Sequence, residues 1–201
     1  MLLLLRHANA GDKSLWQGPD RIRPLSSAGR AEAAGLLVRL EDYPIERILS
    51  SPTVRCQQTV QPLAHDRHLP VETTAGLAVA AEPRTVLALL ADPGSQGAVL
   101  CTHGEVIGQV LTLLAADGLE VDQPLVWPKG STWVLDGVNR RLKVGRYLPP
   151  LPLTDALIMA LQARWKTPAP GLPPRVQEGP WQPSHQDPDA DGRPRNGTSA
   201  A

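Results

Sequence analysis

The chain has 201 residues, 42% of them hydrophobic, which is enough for one domain with a buried core and for a tail. Lysine and arginine number 20, as do aspartate and glutamate, so no overall basic field exists to attract a nucleic acid polymer or a membrane surface. Two cysteines cannot build a disulfide framework or a zinc cluster, and Arg6 stops the apolar run at residues 2–5 before it reaches signal-peptide length. We therefore expect a cytoplasmic protein.

Short apolar runs alternate with helical patterns along most of the chain. The runs are typical of buried parallel strands, and the helical patterns repeat an apolar side chain every three or four residues. In chain order, the predicted elements are a strand at 2–5, a helix at 27–40, a strand at 47–50, a helix at 53–64, a helix at 83–91, a strand at 98–102, a helix at 105–116 and an antiparallel hairpin near 131–147 that turns at 137–139. This alternation predicts a three-layer α/β/α fold with a mostly parallel sheet.

The composition changes near residue 149, where prolines become frequent. We assign residues 1–150 to the folded domain and predict that residues 151–166 form a short helical extension. Residues 167–201 are rich in proline and polar side chains and cannot bury enough apolar surface to offset the entropy of ordering, so we predict a disordered tail.

Three predicted strands end in polar side chains. Arg6 and His7 follow the first strand, Arg55 lies early in the helix after the second, and His103 follows the strand at 98–102. Because ligands bind beyond the carboxyl ends of parallel strands, we expect two arginines and two histidines to meet at one edge of the sheet. Guanidinium groups fit phosphoryl oxygens, and a histidine facing them can attack phosphorus and form a phosphohistidine. The cations would stabilise the transition state, so neither a metal nor another cofactor is required.

Four sequence motifs resemble those of the histidine phosphatase superfamily, which has a phosphoglycerate-mutase-like fold. They occur in family order at residues 5–8, 24–33, 50–59 and 102–107. The first motif reads Leu-Arg-His-Ala, with Ala8 where the family's Arg-His-Gly signature has glycine, a variation common in the SixA-like branch.

The resemblance implies specific roles for the residues at the strand ends. His7 is the nucleophile that becomes phosphorylated, and Arg6, Arg55 and His103 complete the phosphate pocket. Cys56, beside Arg55, is expected only to pack within its helix.

The family also places a carboxylate where it can protonate the leaving oxygen. Glu82, just before Pro83, is the first candidate for this acid, and Glu72 and Asp92 are weaker ones. Hydrolysis of a phosphohistidine substrate needs such an acid less.

Several residues outside the motifs could bind the rest of a substrate. Arg21 and Arg23 can reach a second phosphate or a base, or serve only as loop charges. Lys129 and Ser131 have the same two interpretations. Trp16 can stack on a nucleobase or simply anchor its loop.

The substrate class stays open between two resemblances. Residues 13–18, 20–25 and 129–135 resemble the phosphatase half of two-domain MutT proteins, which act on nucleotides; here we expect that half without its preceding Nudix domain. SixA-type enzymes instead act on phosphohistidine proteins, and the short segment between Thr59 and Ala98 leaves little material for a lid. The predicted partner is therefore a phosphorylated small molecule, such as a nucleotide, or a phosphohistidine protein. The alternatives are a phosphoglycerate-type mutase and a non-catalytic module that binds phospho-ligands.

Overall fold

A computed structural model describes residues 1–138, 141–151, 154 and 159. Its strands are β1 (Leu2–Arg6), β2 (Arg47–Ser50), β3 (Val71–Thr73), β4 (Ala98–Thr102), β5 (Glu120–Val121), β6 (Thr132–Val138) and β7 (Arg141–Leu148). Its α-helices are α1 (Ser27–Arg39), α2 (Val54–Arg67), α3 (Pro83–Ala91) and α4 (Gly104–Ala116). Nearly all of the predicted helical extension, and the whole predicted tail, lie outside the described residues.

The strands form one mixed sheet in the order β3-β2-β4-β1-β6-β7-β5. Neighbouring strands among β1 to β4 pair in parallel, β6 is antiparallel to both of its neighbours, and β5 is parallel to β7. The predicted mostly parallel sheet and the hairpin are confirmed. The predicted turn is placed too early, because Gly137 pairs with Leu142 and Val138 with Arg141 beyond an irregularity at Asp136 and Gly137.

Helices cover both faces of the sheet, which gives the predicted three layers. Side chains alternate along β1, so Leu2 and Leu4 belong to the same core cluster as the apolar faces of α3 and α4. Leu3 and Leu5 belong to the cluster of α1 and α2. These four leucines are at most 1% exposed, which is why the strand is a continuous apolar run instead of an alternating one.

The beginnings of α1 and α2 fix the loops around the sheet edge. The Ser26 hydroxyl caps α1 by accepting from the Gly29 N–H, and a Cβ on Gly29 would lie 1.8 Å from the Asn9 carbonyl oxygen. The absence of a side chain at Gly29 therefore lets α1 pack directly on the loop after β1. Helix α2 begins at Val54 with Thr53 as its N-cap.

The register of the sheet brings three strand ends together. Arg6 lies opposite Thr102, and Ser50 lies opposite Cys101. The ladder continues for one step past the strands, with the His7 N–H donating to the Thr102 carbonyl at 3.0 Å. Because α2 and α4 also begin here, their N-terminal N–H groups and the side chains after β1, β2 and β4 share one edge.

Candidate active site

Two histidines and two arginines meet at this edge of the sheet. The rings of His7 and His103 have centroids 5.2 Å apart and are inclined at 63°. His7, Arg55 and His103 are 7%, 3% and 1% exposed, so three groups capable of carrying charge are shielded from water. Arg6 is half-buried beside the residue that follows His103.

His7 has one ring nitrogen tied to the backbone. Its Nδ1 lies 2.7 Å from the Ala8 carbonyl oxygen, which can only accept, so Nδ1 carries the hydrogen. Burial lowers the pKa of His7 from 6.5 to about 4, and the charges of His103 and Arg55 act in the same direction. At neutral pH the ring is therefore uncharged, with a lone pair on Nε2 that can attack an electrophile.

Arg55 is held by Asp20, which lies in a short 3-10 turn at Asp20–Ile22. Its Nη1 donates to the Asp20 carbonyl at 2.7 Å, and its Nη2 donates to Asp20 Oδ2 at 3.0 Å. Asp20 Oδ1 accepts from Arg23 Nε at 2.9 Å, and Arg23 Nη1 donates to the Ala10 carbonyl. Burial favours the neutral carboxyl of Asp20, but the Arg23 hydrogen bond and the charges of Arg55 and Arg23 outweigh it and hold the pKa below its usual value.

Asp20 is a site residue that the sequence analysis missed. It lies 35 positions from Arg55, in a segment with no periodic pattern. The signal that could have identified Asp20 is the resemblance of residues 20–25 to the MutT phosphatase half, a segment that also holds Arg21 and Arg23. The Asp20 carboxylate lies between Arg23 and Arg55 and pairs with both.

His103 is fixed by the residues that follow β2. Its Nε2 lies 2.9 Å from the Ser51 hydroxyl and 3.6 Å from Cys56 Sγ. Its Nδ1 lies 3.5 Å from Arg55 Nη2, a group that can only donate. Ser51 and Arg55 therefore fix the orientation of the ring, with Nε2 toward Ser51 and Nδ1 toward Arg55. Cys56 is fully buried in the core of α1 and α2, and because its Sγ also contacts His103 it does more than the packing predicted for it.

The Arg6 side chain packs against the start of α4. Its Nη1 donates to the Trp127 carbonyl at 2.7 Å, and a Cβ on Gly104 would lie 2.7 Å from the guanidinium carbon. Only glycine at position 104 leaves room for this contact. Within the described part of the chain, the Nε atoms of Arg6 and Arg55 are buried and have no hydrogen-bond partner. A buried donor left unpaired costs about 1–3 kcal/mol, which a phosphoryl oxygen would recover.

The other predicted site residues lie around this cluster. Glu82 is exposed at the N-cap of α3, where its side chain makes no capping bond, and Arg21 is exposed. Lys129 Nζ lies 3.3 Å from Asn9 Oδ1, near the loop after β1. Ser131 is buried and donates its hydroxyl hydrogen to the Pro128 carbonyl at 2.7 Å. Arg23 is also buried, and it donates to Asp20 and to the Ala10 carbonyl. Substrate-binding roles for these residues stay predictions.

The weaker candidates for the acid are engaged elsewhere. The Glu72 carboxylate pairs with Arg47 at 2.7 Å. The Asp92 side chain accepts from the Gly94 N–H in a short turn before β4. Of the three carboxylates considered, Glu82 is the one without such a contact among the described residues, and its role as the acid stays a prediction.

A cleft of about 700 Å³ adjoins Arg6. Arg6 and Gly104 form its end nearest the histidines, and it continues along the outer face of α4 between Pro83 and Trp127. No group of three or more His, Cys, Asp or Glu side chains that could hold a metal ion occurs in the described ranges. Over the same residues, every helix is too short or too polar to cross a bilayer.

Comparisons with known proteins agree with this geometry. A family model of the histidine phosphatase superfamily (branch 1) matches residues 2–78, which include His7 and Arg55. An 8-oxo-(d)GTP phosphatase of Mycolicibacterium smegmatis is 32% identical over 156 residues, covering 74% of this chain and 48% of the relative. The chain therefore spans about half the length of this curated relative.

Solved structures of SixA-type proteins share the fold. One from Agrobacterium tumefaciens, described as a phosphohistidine phosphatase, is 27% identical, with a TM-score of 0.58 over 74% of this chain and 96% of its own. The protein histidine phosphatase SixA in complex with tungstate is 20% identical, with a TM-score of 0.55 over 73% of this chain and 93% of its own. Residues 2–78, which carry two of the motifs that converge at this edge of the sheet, match the histidine phosphatase superfamily (branch 1), and the solved structures share its fold.

Proposed function

We propose that the protein is a metal-independent phosphatase that works through a phosphohistidine on His7. The observation that carries this proposal is the neutral, buried His7, whose Nδ1 hydrogen is held by the Ala8 carbonyl so that Nε2 keeps its lone pair. The same edge of the sheet carries Arg6 and Arg55, whose Nε atoms have no partner among the described residues. A phosphoryl group placed there would satisfy the unpaired donors and face the nucleophile.

In the first step, the His7 Nε2 lone pair forms a bond to phosphorus as the bond from phosphorus to the leaving group breaks. The leaving group departs with that electron pair and takes a proton, for which Glu82 is the candidate donor. Arg6, Arg55 and His103 hold the phosphoryl oxygens as charge shifts in the transition state.

In the second step, water attacks the phosphorus of the phosphohistidine. The P–N bond breaks, its electron pair returns to Nε2, and inorganic phosphate leaves. Glu82, deprotonated in the first step, would take the proton from the attacking water and so return to its starting state. The neutral form of His7 that the site favours is then regenerated.

The substrate is a phosphomonoester or a phosphohistidine, carried by a nucleotide or by a phosphoprotein. Both classes have support among the named relatives, since one is an 8-oxo-(d)GTP phosphatase and another is the protein histidine phosphatase SixA. A mutase and a non-catalytic binding module are the alternatives that the experiment must separate. The cytoplasmic location predicted from the sequence stays a prediction.

The test is a phosphate-release screen with nucleoside phosphates, sugar phosphates and a phosphohistidine peptide, run with and without a chelator. We expect chelator-resistant release that His7→Ala abolishes, with a loss of about 10³-fold or more. His68→Asn is a matched control, because His68 lies outside the site at φ 56°, a conformation that asparagine tolerates. Isomerisation of phosphoglycerate without net phosphate release would indicate the mutase, and binding without turnover would indicate the module.

A further inference from the structure

Asp20 is a carboxylate placed beside a cluster of side chains that suits an anion. Its side chain is 34% exposed and lies 3.0 Å from Arg55 Nη2. An ionised carboxylate repels a phosphoryl group, because both are negatively charged, and it has no hydrogen to donate to a phosphoryl oxygen. Asp20 is therefore unsuited to a direct contact with the substrate, and any effect that it has on turnover has to pass through its partners.

One of these partners is Arg55. Its Nη1 donates to the Asp20 backbone carbonyl at 2.7 Å and its Nη2 to Asp20 Oδ2 at 3.0 Å, so one residue holds both terminal nitrogens of the guanidinium. Because a guanidinium is planar and rigid, fixing these two nitrogens also fixes the direction of the third N–H. That third nitrogen, Arg55 Nε, is buried and has no hydrogen-bond partner among the described residues. The contacts with Asp20 thus determine where an unpaired donor points.

A second arginine holds Asp20 itself in place. Arg23 Nε donates to Asp20 Oδ1 at 2.9 Å, and Arg23 Nη1 donates to the Ala10 carbonyl at 2.6 Å. Arg23 is buried, so these hydrogen bonds are shielded from water. Ala10 lies in the loop that follows β1 and His7. The turn that carries Asp20 is therefore tied both to the loop after the proposed nucleophile and to Arg55.

We propose that Asp20 is a positioning residue for the phosphatase reaction, which holds the Arg55 guanidinium so that its Nε–H is directed toward the transferring phosphoryl group. This inference rests on the proposed function and adds a residue that acts on turnover without contacting the substrate. The orientation of a donor matters most in the transition state, when charge shifts among the phosphoryl oxygens. Removing the Asp20 charge also removes a repulsion of the substrate, which offsets weaker binding by Arg55. Loss of the carboxylate should therefore lower kcat more than it raises KM.

The test combines Asp20→Asn with Arg55→Ala and uses the compound that releases phosphate fastest in the screen. Asparagine keeps the size of the side chain but removes its charge and places an amide donor against two arginines, which can only donate. We expect kcat to fall about 10–100-fold, as when a catalytic group is misplaced by about 1 Å, and KM to change less than about threefold. In the Arg55→Ala background the same substitution should cost less than about twofold, because the group that Asp20 orients is gone. Asp12→Asn is the matched control, since Asp12 caps an exposed turn of the same loop and asparagine caps equally well.

The outcomes separate this inference from the function on which it rests. A kcat in Asp20→Asn equal to that of Asp12→Asn, or a rise in KM alone, would overturn the positioning role and leave the phosphatase intact. An equal fold-loss in the wild-type and Arg55→Ala backgrounds would also overturn it, because a turn that only supports the fold acts without Arg55. Asp20→Ser, measured in the same two backgrounds, replaces the asparagine variant if thermal melting shows that the latter does not fold. No His7-dependent phosphate release from any compound in the screen would overturn the proposed function itself.

Discussion

The two arginines of the site are held in opposite ways. One side of the site, called the Asp20 side, consists of Arg55 and Asp20. Both terminal nitrogens of Arg55 donate to Asp20, and the Arg55 guanidinium is almost inaccessible to water. On the cleft side, Arg6 makes one side-chain hydrogen bond to the residues that the structure describes, namely to the Trp127 carbonyl, and its guanidinium lines the cleft. From this contrast we propose a division of tasks, in which the Asp20 side would fix the phosphoryl group and the cleft side would admit the rest of the substrate.

Charge and packing give each side a different source of rigidity. Asp20 lies between Arg55 and Arg23, so charge-assisted hydrogen bonds orient Arg55 before any substrate arrives. The position of Arg6 depends instead on the absence of a side chain at Gly104. The two sides should therefore fail in different ways when altered.

The largest effect should come from the Asp20 side. Arg55→Ala removes a preorganised cation and leaves the Asp20 carboxylate with one partner fewer, so kcat/KM for phosphate release should fall by about 10²–10³-fold. Arg55→Lys should recover little, because an ammonium cannot reproduce the forked contact. Arg141→Ala, on exposed β7, is the control. A loss in Arg55→Ala no larger than in Arg141→Ala would contradict the division of tasks.

The cleft side should be sensitive to one methyl group. Gly104→Ala would bring a Cβ to 2.7 Å from Arg6 Cζ and push the guanidinium away, lowering kcat/KM by about 10–100-fold. Thermal melting should change little, since α4 gains an alanine. Gly94→Ala, where a Cβ has an ordinary contact of 3.4 Å, is the matched control. Unchanged turnover in Gly104→Ala would show that Arg6 does not act from its present position.

His7 is the proposed nucleophile for both sides of the site, and its protonation state gives a further test. With the pKa of His7 lowered to about 4 by burial, kcat/KM should stay level as the pH falls from 7 to 5. A histidine of ordinary pKa would be only about one tenth neutral at pH 5.5, so the two cases differ about tenfold there. An acid limb near pH 6.5 in the kcat/KM profile would contradict the buried, neutral His7.

The same shift predicts how stability depends on pH. Between about pH 6.5 and 4 the unfolded His7 binds a proton that the folded one does not, so the free energy of unfolding falls as the pH is lowered. The full contribution is about 3 kcal/mol, present above pH 6.5 and lost as the pH falls to 4. The free energy of unfolding, measured by urea titration at several pH values, should change more steeply with pH in the wild type than in His7→Asn. An equal pH dependence in the two proteins would refute the prediction.

The smallest effect should come from Lys129, at the edge of the site. Lys129 lies beside Asn9 and carries a partly exposed charge, so Lys129→Ala should raise KM by about 2–5-fold with kcat unchanged. Lys143→Ala, an exposed charge on β7, provides the comparison. A large fall in kcat for Lys129→Ala would place Lys129 within the catalytic cluster and blur the distinction between the two sides.

The sequence predicted the long, fully buried elements and the motif residues that follow them. The leucines of β1 and the apolar run of β4 are strands because both of their faces are covered, and that pattern is local. Strand β3 was missed because its three residues are only partly buried and have no apolar run. The meeting of His7, Arg55 and His103 followed from a rule about where parallel strands end.

What the sequence could not predict depends on contacts between distant segments. The bond from Asp20 to Arg55 crosses 35 positions, and the approach of Arg6 to Gly104 involves the spacing of two strands and a helix. The packing of Trp127 against Gly108 is not indicated by any periodic sequence pattern in either segment. Such contacts are set by tertiary packing, which the spacing of residues along the chain does not encode.

The most direct test of the central claim is to trap and locate the covalent intermediate. The active protein would be mixed with a radiolabelled substrate identified in the phosphate-release screen, quenched in alkali, digested and mapped. The account predicts an acid-labile, alkali-stable phosphoryl group on His7, absent from His7→Ala. Active protein that never carries a label, or a label on His103 instead, would contradict it.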